Sequence, residues 1–470
     1  MMPVEPVARP INKPELFVLT ALSAVLHWWR LFTPDAVVFD ELHYKHFAGH
    51  YLDGTHYYDV HPPLAKLLFA AVAKLSGASA QAMLGSDPVV SLRILPALLG
   101  TLVVPLVYVI LRQLGAQRNV ATIGASAILL ENALLVDSRF ALIEPIMIPF
   151  GLMAVALYLG ARNRDKTSRW LLLVASAFAA GLSFSAKWTG ASALAVVLSA
   201  WAFDVWRARR PLGRVAAEGA VLVLVPALVY LGSFAIHFAL IKRTGPDLAV
   251  MPARYQATLI GSAHYDPAAR IGLFDKVGEL HDAMKRGNRS LESVTHPAAS
   301  PWYTWPIMKH PIAMWQDTAP PTGWQANIIL LGNPAVWWGS LAIAGLGLVA
   351  LLRRRAVDAG GRFVLSLLAG GFLINFAPFI AIRRVMYLYH YLFALVFLVM
   401  LGAYVGGLVT GWQADTDDRL FAFSSRRSAA IYWSVVAVVA VGFLYFSPFT
   451  YGWSLSEAAF EQRFRVLHPF

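Results

Sequence analysis

Four carboxylates (Asp40, Glu41, Asp53, Asp59) and five histidines (His43, His46, His50, His56, His61) fall between Val37 and Lys66, in a chain that is otherwise mostly apolar. A titratable cluster held against a hydrophobic protein marks a place where chemistry is done. Asp40 and Glu41 are adjacent, so their side chains point in different directions on a helix or a strand. One can act as general base toward an acceptor hydroxyl while the other caps, pairs or positions it. Asp40 is equally placed to cap a helix beginning at Glu41, and for an isolated pair that plainer reading would win. The company of the other groups favours catalysis.

Asp59-Val-His61-Pro-Pro comes next. The two prolines fix the start of a helix near Leu64 and hold Asp59 and His61 where they can orient Asp40 or bind substrate. His43, His46 and His50 recur at three- and four-residue spacing and share one helix face. Histidine is a common metal ligand, but no flanking pattern resembles H-E-x-x-H, and no metal is assigned.

A second set is cationic: Arg30, Arg93, Arg139, Lys187, Arg383 and Arg384 each fall near the same end of an apolar span. Terminal arginines often snorkel to headgroups. Several on one face suggest an anionic lipid phosphate, which guanidinium binds bidentately. Glu131-Asn132 and Ser138-Arg139 to Glu144 flank another outward turn. Glu144 precedes Pro145, where a carboxylate also suits a helix N-terminus. Most aromatics read as core or interfacial belt. Trp302, Tyr303 and Trp305 are better placed to contact a sugar or peptide.

These groups need elements to hold them. The 470 residues are 58% hydrophobic and 14% charged, with mean hydropathy +0.57; soluble chains are about 25% charged. Apolar runs near 20 residues predict an all-α polytopic membrane protein. The spans are 15–32, 89–111, 120–136, 143–159, 170–185, 189–205, 220–240, 334–352, 363–382, 386–409 and 429–446, about eleven in all. The first has no small-residue cleavage site after it and reads as a retained helix. Leu64–Leu75 is too short to cross and reads as an interfacial helix. With the N-terminus in the cytoplasm and that helix not crossing, every cytoplasmic loop is basic (112–118, 162–169, 207–214, 353–355, 424–428), as the positive-inside pattern requires.

The net charge of +12 is thereby explained by topology and lipid headgroups, without nucleic acid. The absence of cysteine excludes disulfides. The expected organisation is an N-terminal catalytic transmembrane part (1–240) with an external loop (34–88), an external cap (241–330), and a C-terminal transmembrane part with an external tail (331–470).

The motifs V-V-F-D-E-x-H-Y, D-V-H-P-P-L-A-K, S-L-R-I-L-P-A-L-L-G, E-N-A…S-R, A-K-W-T-G, H-P-A-A-S-P-W-Y-T-W-P-I-M and R-V-M-Y-L-Y-H-Y-L-F-A-L together resemble the protein O-mannosyltransferases, in family order from Arg30 to about Met400. The resemblance implies a GT-C glycosyltransferase membrane fold with an external active site. It implies a polyprenyl- or dolichyl-phosphate mannose donor, a Ser or Thr hydroxyl of an exported polypeptide as acceptor, and inversion at the sugar. By position Asp40 resembles the catalytic base, Glu41 its partner, Arg93 the donor-phosphate arginine, and Arg30 and Arg384 further lipid-phosphate contacts. Arg139 belongs with this carrier set. Asp59, His61, Glu144, Lys187, Trp302 and Trp305 are expected to position substrate. The outer loop is too short for the β-trefoil domain of the eukaryotic enzymes, and Glu144 stands where the family usually has Asp, so the resemblance is to the compact prokaryotic branch. That implies a bacterial inner membrane, with a dimer or a translocon association as further partner expectations.

The chemistry asked for is consistent with this. A phosphate is already a good leaving group, so the needs are a base at the acceptor and positive charge at the departing phosphate. Transfer to a lipid or glycan acceptor uses the same groups. A lipid-linked sugar transporter would instead place charges near the bilayer midplane, whereas here they gather at one face.

Overall fold

Inside a bilayer every backbone polar group must be satisfied internally, and helices do this segment by segment. The computed structural model describes residues 8–162, 164–354, 357–413 and 418–467. Its helices are α1 (Lys13–Trp28), α2 (Glu41–Asp53), α3 (Leu64–Leu75), α4 (Ala80–Leu84), α5 (Ile94–Thr101), α6 (Val103–Gln113), α7 (Arg118–Leu129), α8 (Asn132–Asp137), α9 (Glu144–Ala161), α10 (Lys166–Ala186), α11 (Ala191–Ala208), α12 (Leu212–Leu240), α13 (Ala253–Gln256), α14 (Leu273–Ser290), α15 (Pro334–Arg354), α16 (Ala359–Phe376), α17 (Leu392–Thr410), α18 (Arg426–Tyr451) and α19 (Glu457–Leu467).

Eight helical segments among the described residues are long and apolar enough to cross a membrane, against the eleven spans expected. The other three expected spans fall on shorter apolar helices. The first is α1, 16 residues long. The second, 120–136, is broken into α7 and α8 because Glu131 starts a new helix, its carboxylate accepting the Leu134 N–H at 2.8 Å. The third lies on α15, whose apolar part is Pro334–Val349. Arg355 of the expected basic loop 353–355, Asn163 of loop 162–169 and residues 468–470 of the tail lie outside the described residues. Arg112, Arg162 and Arg169, expected only as topology markers, are ion-paired to Asp418, Asp204 and Glu218.

The bundle is layered around α17, which is 83% buried across its apolar window, while α18 at 22% forms a flank. Nearly every residue of α17 is apolar or small, as a helix surrounded by others requires. The fold is not purely helical. Among the described residues are four short strands: β1 (Ile312–Gln316), β2 (Trp324–Gln325), β3 (Asn327–Leu330) and β4 (Leu455–Ser456). β1 pairs antiparallel with β3, with a bulge between Ala313 and Trp315, and β2 pairs antiparallel with β4. The second pair ties the C-terminal tail to the cap, where the sequence predicts only an external tail. Two-residue pairings have no periodicity to read.

α3 has 12 residues, about 18 Å at 1.5 Å per residue, well short of the ~30 Å hydrocarbon core. Ala65, Lys66, Phe69, Ala70 and Ala73 are its buried face, and it runs along the bundle beside α2 and α10. Cysteines placed at the exposed Asp53 and Ser86 of this cysteine-free chain should therefore label from the same side of the membrane with an impermeant thiol reagent. Labelling from opposite sides would mean that α3 crosses.

The segment between α12 and α15 caps the α2–α3 loop. Lys242 and Arg243 donate their backbone N–H groups to Gly54 O at 2.9 and 3.0 Å, and His56 N–H reaches Arg243 O at 2.9 Å. At its far end Ser300 N–H bonds Met386 O at 2.8 Å. The cap loop carrying His296 is thus fastened to the segment carrying Arg384, Tyr387 and Tyr389, and both are brought over the start of α2.

Candidate active site

Asp40 is the N-cap residue of α2, yet its side chain makes no capping hydrogen bond. Its backbone carbonyl takes the His43 N–H at 3.0 Å, and its carboxylate has no hydrogen-bond partner among the described residues. Around it, within electrostatic reach, stand His43, Glu144, Lys187 and His296. Burial raises its pKa above the ordinary carboxylate value, and the Glu144 charge adds to this; His43, Lys187 and His296 oppose it. A half-buried carboxylate without partners, shifted toward neutrality, suits a general base.

Glu41 is the opposite case. Its Oε1 accepts from Arg93 Nε (2.8 Å) and the Ala141 N–H (3.0 Å), and its Oε2 from Arg93 Nη2 (2.8 Å) and the Val38 N–H (3.0 Å). Arg93 spends its remaining N–H groups on the carbonyls of Leu31, Pro34 and Ala36 at 3.5, 2.8 and 2.7 Å, and it is 1% exposed. This fork-to-fork pair fastens the strained approach to α2, where Phe39 has φ +48°, to the 3₁₀ turn Val90–Arg93 and the loop before α9. Arg93, expected at a phosphate, is placed with its donors used by Glu41 and three carbonyls, and it is buried. Arg139 is also used internally, bonding the carbonyls of Thr450 (2.8 Å), Trp29 (3.1 Å) and Arg30 (2.8 Å) and stacking over Tyr451. Arg30 itself is exposed, and its carbonyl serves that clamp.

Asp59 and Lys66 form an ion pair across the Pro-Pro turn, and Lys66 Nζ also bonds His61 O at 2.6 Å. Asp59 is thereby spent on holding the turn, not on Asp40. The turn holds His61 within electrostatic reach of Lys187, Arg384 and Lys66; burial first, then these cations, drive its pKa well below the ordinary imidazole value, so it is neutral.

Beside this cluster lies a cavity of about 380 Å³. Its polar end is made by Glu144, Lys187, Tyr389 and His390, and its apolar walls by α11, α16 and the start of α17, among them Ile374, Phe379 and Phe393. Lys187 pairs with Glu144 and sits 5.2 Å from the Tyr389 ring. The A-K-W-T-G turn that carries Lys187 is tight: a Cβ on Gly190 would lie 2.2 Å from Ser183 O, which no other residue accommodates. Arg384 is half-buried, within electrostatic reach of His61 and His390, and its guanidinium has no ion-pair partner among the described residues. A cavity with one charged end and one apolar end matches the shape of a phosphate joined to a hydrocarbon chain.

Family models match along nearly the whole chain: "Dolichyl-phosphate-mannose-protein mannosyltransferase" over residues 17–242 and "C-terminal four TMM region of protein-O-mannosyltransferase" over 273–466. The chain belongs to the protein O-mannosyltransferase family. Among relatives, the dolichyl-phosphate-mannose–protein mannosyltransferase 1 of Candida albicans is 34% identical over 277 residues, 54% of this chain and 31% of its own. The protein O-mannosyl-transferase 1 of Danio rerio is 33% identical over 265 residues, 52% and 37%. The chain thus spans about a third of the length of these relatives. Its backbone is similar to the Saccharomyces cerevisiae protein O-mannosyltransferase Pmt1-Pmt2 complex bound to the sugar donor, with TM-score 0.84, 20% identity and coverage of 95% and 91%. It is less similar to ArnT of Cupriavidus metallidurans bound to undecaprenyl phosphate, with TM-score 0.54, 13% identity and coverage of 97% and 77%. These likenesses establish the GT-C fold of an integral membrane protein.

In this mannosyltransferase-family chain, then, the fold gathers Asp40, His61, Glu144, Lys187 and Arg384 in one region. It sets Asp59, Arg93, Arg139 and Glu41 one layer behind. Trp305 is fully buried, its Nε1–H on Ser300 Oγ at 2.9 Å, so the structure places it in the core. Trp302 is half-buried, edge-on to Phe376 at 5.5 Å. Tyr389, His390, Tyr387 and His296 were not singled out by residue type, although the R-V-M-Y-L-Y-H-Y and H-P-A-A-S-P motifs contained them. Among the described residues no group of three or more acidic, histidine or cysteine side chains is arranged to hold a metal.

Proposed function

We propose that this protein is an inverting glycosyltransferase that moves mannose from a polyprenyl-phosphate carrier to Ser or Thr hydroxyls of exported polypeptides. One observation carries the reading: the unpartnered Asp40 carboxylate stands within electrostatic reach of Glu144 and Lys187, which with Tyr389 and His390 form the polar end of a cavity whose other walls are apolar, and the unpaired Arg384 stands within reach of His390 at that same end. Asp40 removes the acceptor proton as the hydroxyl oxygen attacks the anomeric carbon from the face opposite the phosphate. Arg384, with Lys187 and neutral His61 nearby, meets the charge that builds on the phosphate as its bond to the sugar breaks. Glu144 orients Lys187. Glu41 and Arg93 hold Asp40's backbone in place.

The basic loops support a cytoplasmic N-terminus and an active site on the external face, and the short cap, with its resemblance to the compact prokaryotic branch, supports a bacterial inner membrane. The donor chemistry is supported by the names of the relatives and by the donor-bound state of the similar yeast structure. That structure is a two-protein complex, which supports assembly with a second chain here.

Purified protein incubated with polyprenyl-phosphate mannose and a Ser/Thr peptide should add hexose to the peptide, read by mass spectrometry, with the anomeric configuration inverted. Transfer only to a lipid or glycan hydroxyl would replace the acceptor, and donor movement without transfer would overturn the enzyme assignment. Arg384→Lys should lower kcat and weaken donor use, since lysine keeps the charge but loses the planar fork, and Arg384→Ala should do so more. The acceptor KM should stay near the wild-type value; a rise in it alone would remove Arg384 from the phosphate.

A further inference from the structure

The histidines of α2 form no metal-holding group among the described residues, and they part ways. His46 lies near Gly85 O at 3.4 Å, and His50 bonds Thr55 Oγ1 at 2.9 Å. His43 is different. It is exposed at the first turn of the helix, stacks on Phe47 at 6.5 Å, and its ring nitrogens have no hydrogen-bond partner among the described residues. It stands three residues from Asp40, a spacing that puts two Cβ atoms about 5–6 Å apart on a helix, a gap that a hydrogen bond or one water spans.

We propose that His43 is the proton outlet of the site, taking from Asp40 the proton won from each acceptor hydroxyl and releasing it to the external solvent. The inference rests on the transferase reading above. In one turnover the acceptor O–H bond breaks, its oxygen bonds to the anomeric carbon, and the anomeric C–O bond breaks with its electron pair leaving on the phosphate. The proton remains on Asp40, which must lose it before the next hydroxyl arrives. Burial, which makes Asp40 a usable base, also makes it hold that proton.

The other groups around Asp40 cannot accept it as readily. Glu144 and Lys187 are committed to each other on the cavity side. Burial, and then the Asp40 charge, raise the pKa values of the Tyr44, Tyr387 and Tyr389 hydroxyls above the ordinary tyrosine value, so they are already protonated. His296, from the cap, takes the Ala298 N–H on its Nδ1 at 3.1 Å. That ring nitrogen is thereby already occupied as an acceptor. His43 keeps a ring nitrogen open, at the boundary between the buried carboxylate and water.

The test uses the full-length protein, polyprenyl-phosphate mannose and a Ser/Thr peptide in weakly buffering solution. Wild-type transfer is measured first: an inactive wild type overturns the transferase reading and this inference with it. With an active wild type, His43→Gln, an exposed and size-matched change, should lower kcat by roughly 10²-fold, the low end of general acid–base contributions. Both KM values should stay unchanged, and added imidazole should restore the rate. Asp40→Asn should not respond to imidazole. A His43→Gln enzyme with wild-type kcat, or one whose loss appears in acceptor KM and ignores imidazole, overturns the assignment while leaving the transferase reading standing.

Discussion

Asp40→Asn is expected to reduce turnover by about 10²–10⁴-fold, the range for losing a general base, with donor binding retained. The amide matches the carboxylate in size, and Asp40 makes no side-chain hydrogen bond whose loss would disturb α2, so the variant should fold and melt as the wild type does. The carboxylate form is needed for proton removal. Because burial and Glu144 raise the Asp40 pKa, activity should be complete above that raised value and fall as pH drops through it. The acid limb should therefore lie at higher pH than for an ordinary aspartate. Steady-state rates across pH, with donor binding measured separately on the inactive variant, check both parts. A purified Asp40→Asn enzyme with wild-type turnover would remove Asp40 from the chemistry.

Arg93→Ala should be the most disruptive single change among the cationic residues, through stability first and activity second. It strips Glu41, itself buried, of its bidentate partner and leaves the carbonyls of Leu31, Pro34 and Ala36 without their donors. Breaking a buried pair by removing one member costs about 3–5 kcal/mol. Glu41→Ala should cost a similar amount because it strands the guanidinium, and the double variant should cost less than the two single changes added together. Melting temperatures of the four proteins in one detergent, read beside their transfer rates, decide the matter. Arg93→Ala with an unchanged melting temperature and a selective loss of donor affinity would return Arg93 to the phosphate.

Much of the architecture was legible because a membrane imposes a simple code. Length and hydropathy locate helices, and charge in the loops orders them. That code assigned Leu64–Leu75 to the interface, and α3 has those bounds. It was weakest where a span is interrupted by a polar group that the fold satisfies. Glu131 breaks the third expected span, and its carboxylate is matched by the Asn333 N–H and the Trp337 indole, some two hundred residues away. No local pattern announces those partners. The strand pairing between Gln325 and Leu455 is equally remote in sequence.

The same division runs through the site. Residue type and motif order by themselves determined that carboxylates, histidines and arginines collect at one end of a polytopic bundle, and that the D-E pair is the place to look for a base. They could not say which arginine is available. Arg93, Arg139 and Arg384 look alike as letters beside apolar spans, but a guanidinium has five donors, and what matters is how many the protein itself uses. Tertiary packing fills those of Arg93 with Glu41 and three carbonyls, sets Arg139 on three other carbonyls, and leaves Arg384 half-buried near His61 and His390 with no ion-pair partner among the described residues. It likewise separates two adjacent acids: Glu41 meets four hydrogen-bond donors and becomes a brace, while Asp40 meets none and keeps its lone pairs for a substrate. Hydrogen bonds between residues fifty or a hundred positions apart make that choice, and only the closed fold brings their donors and acceptors within 3 Å.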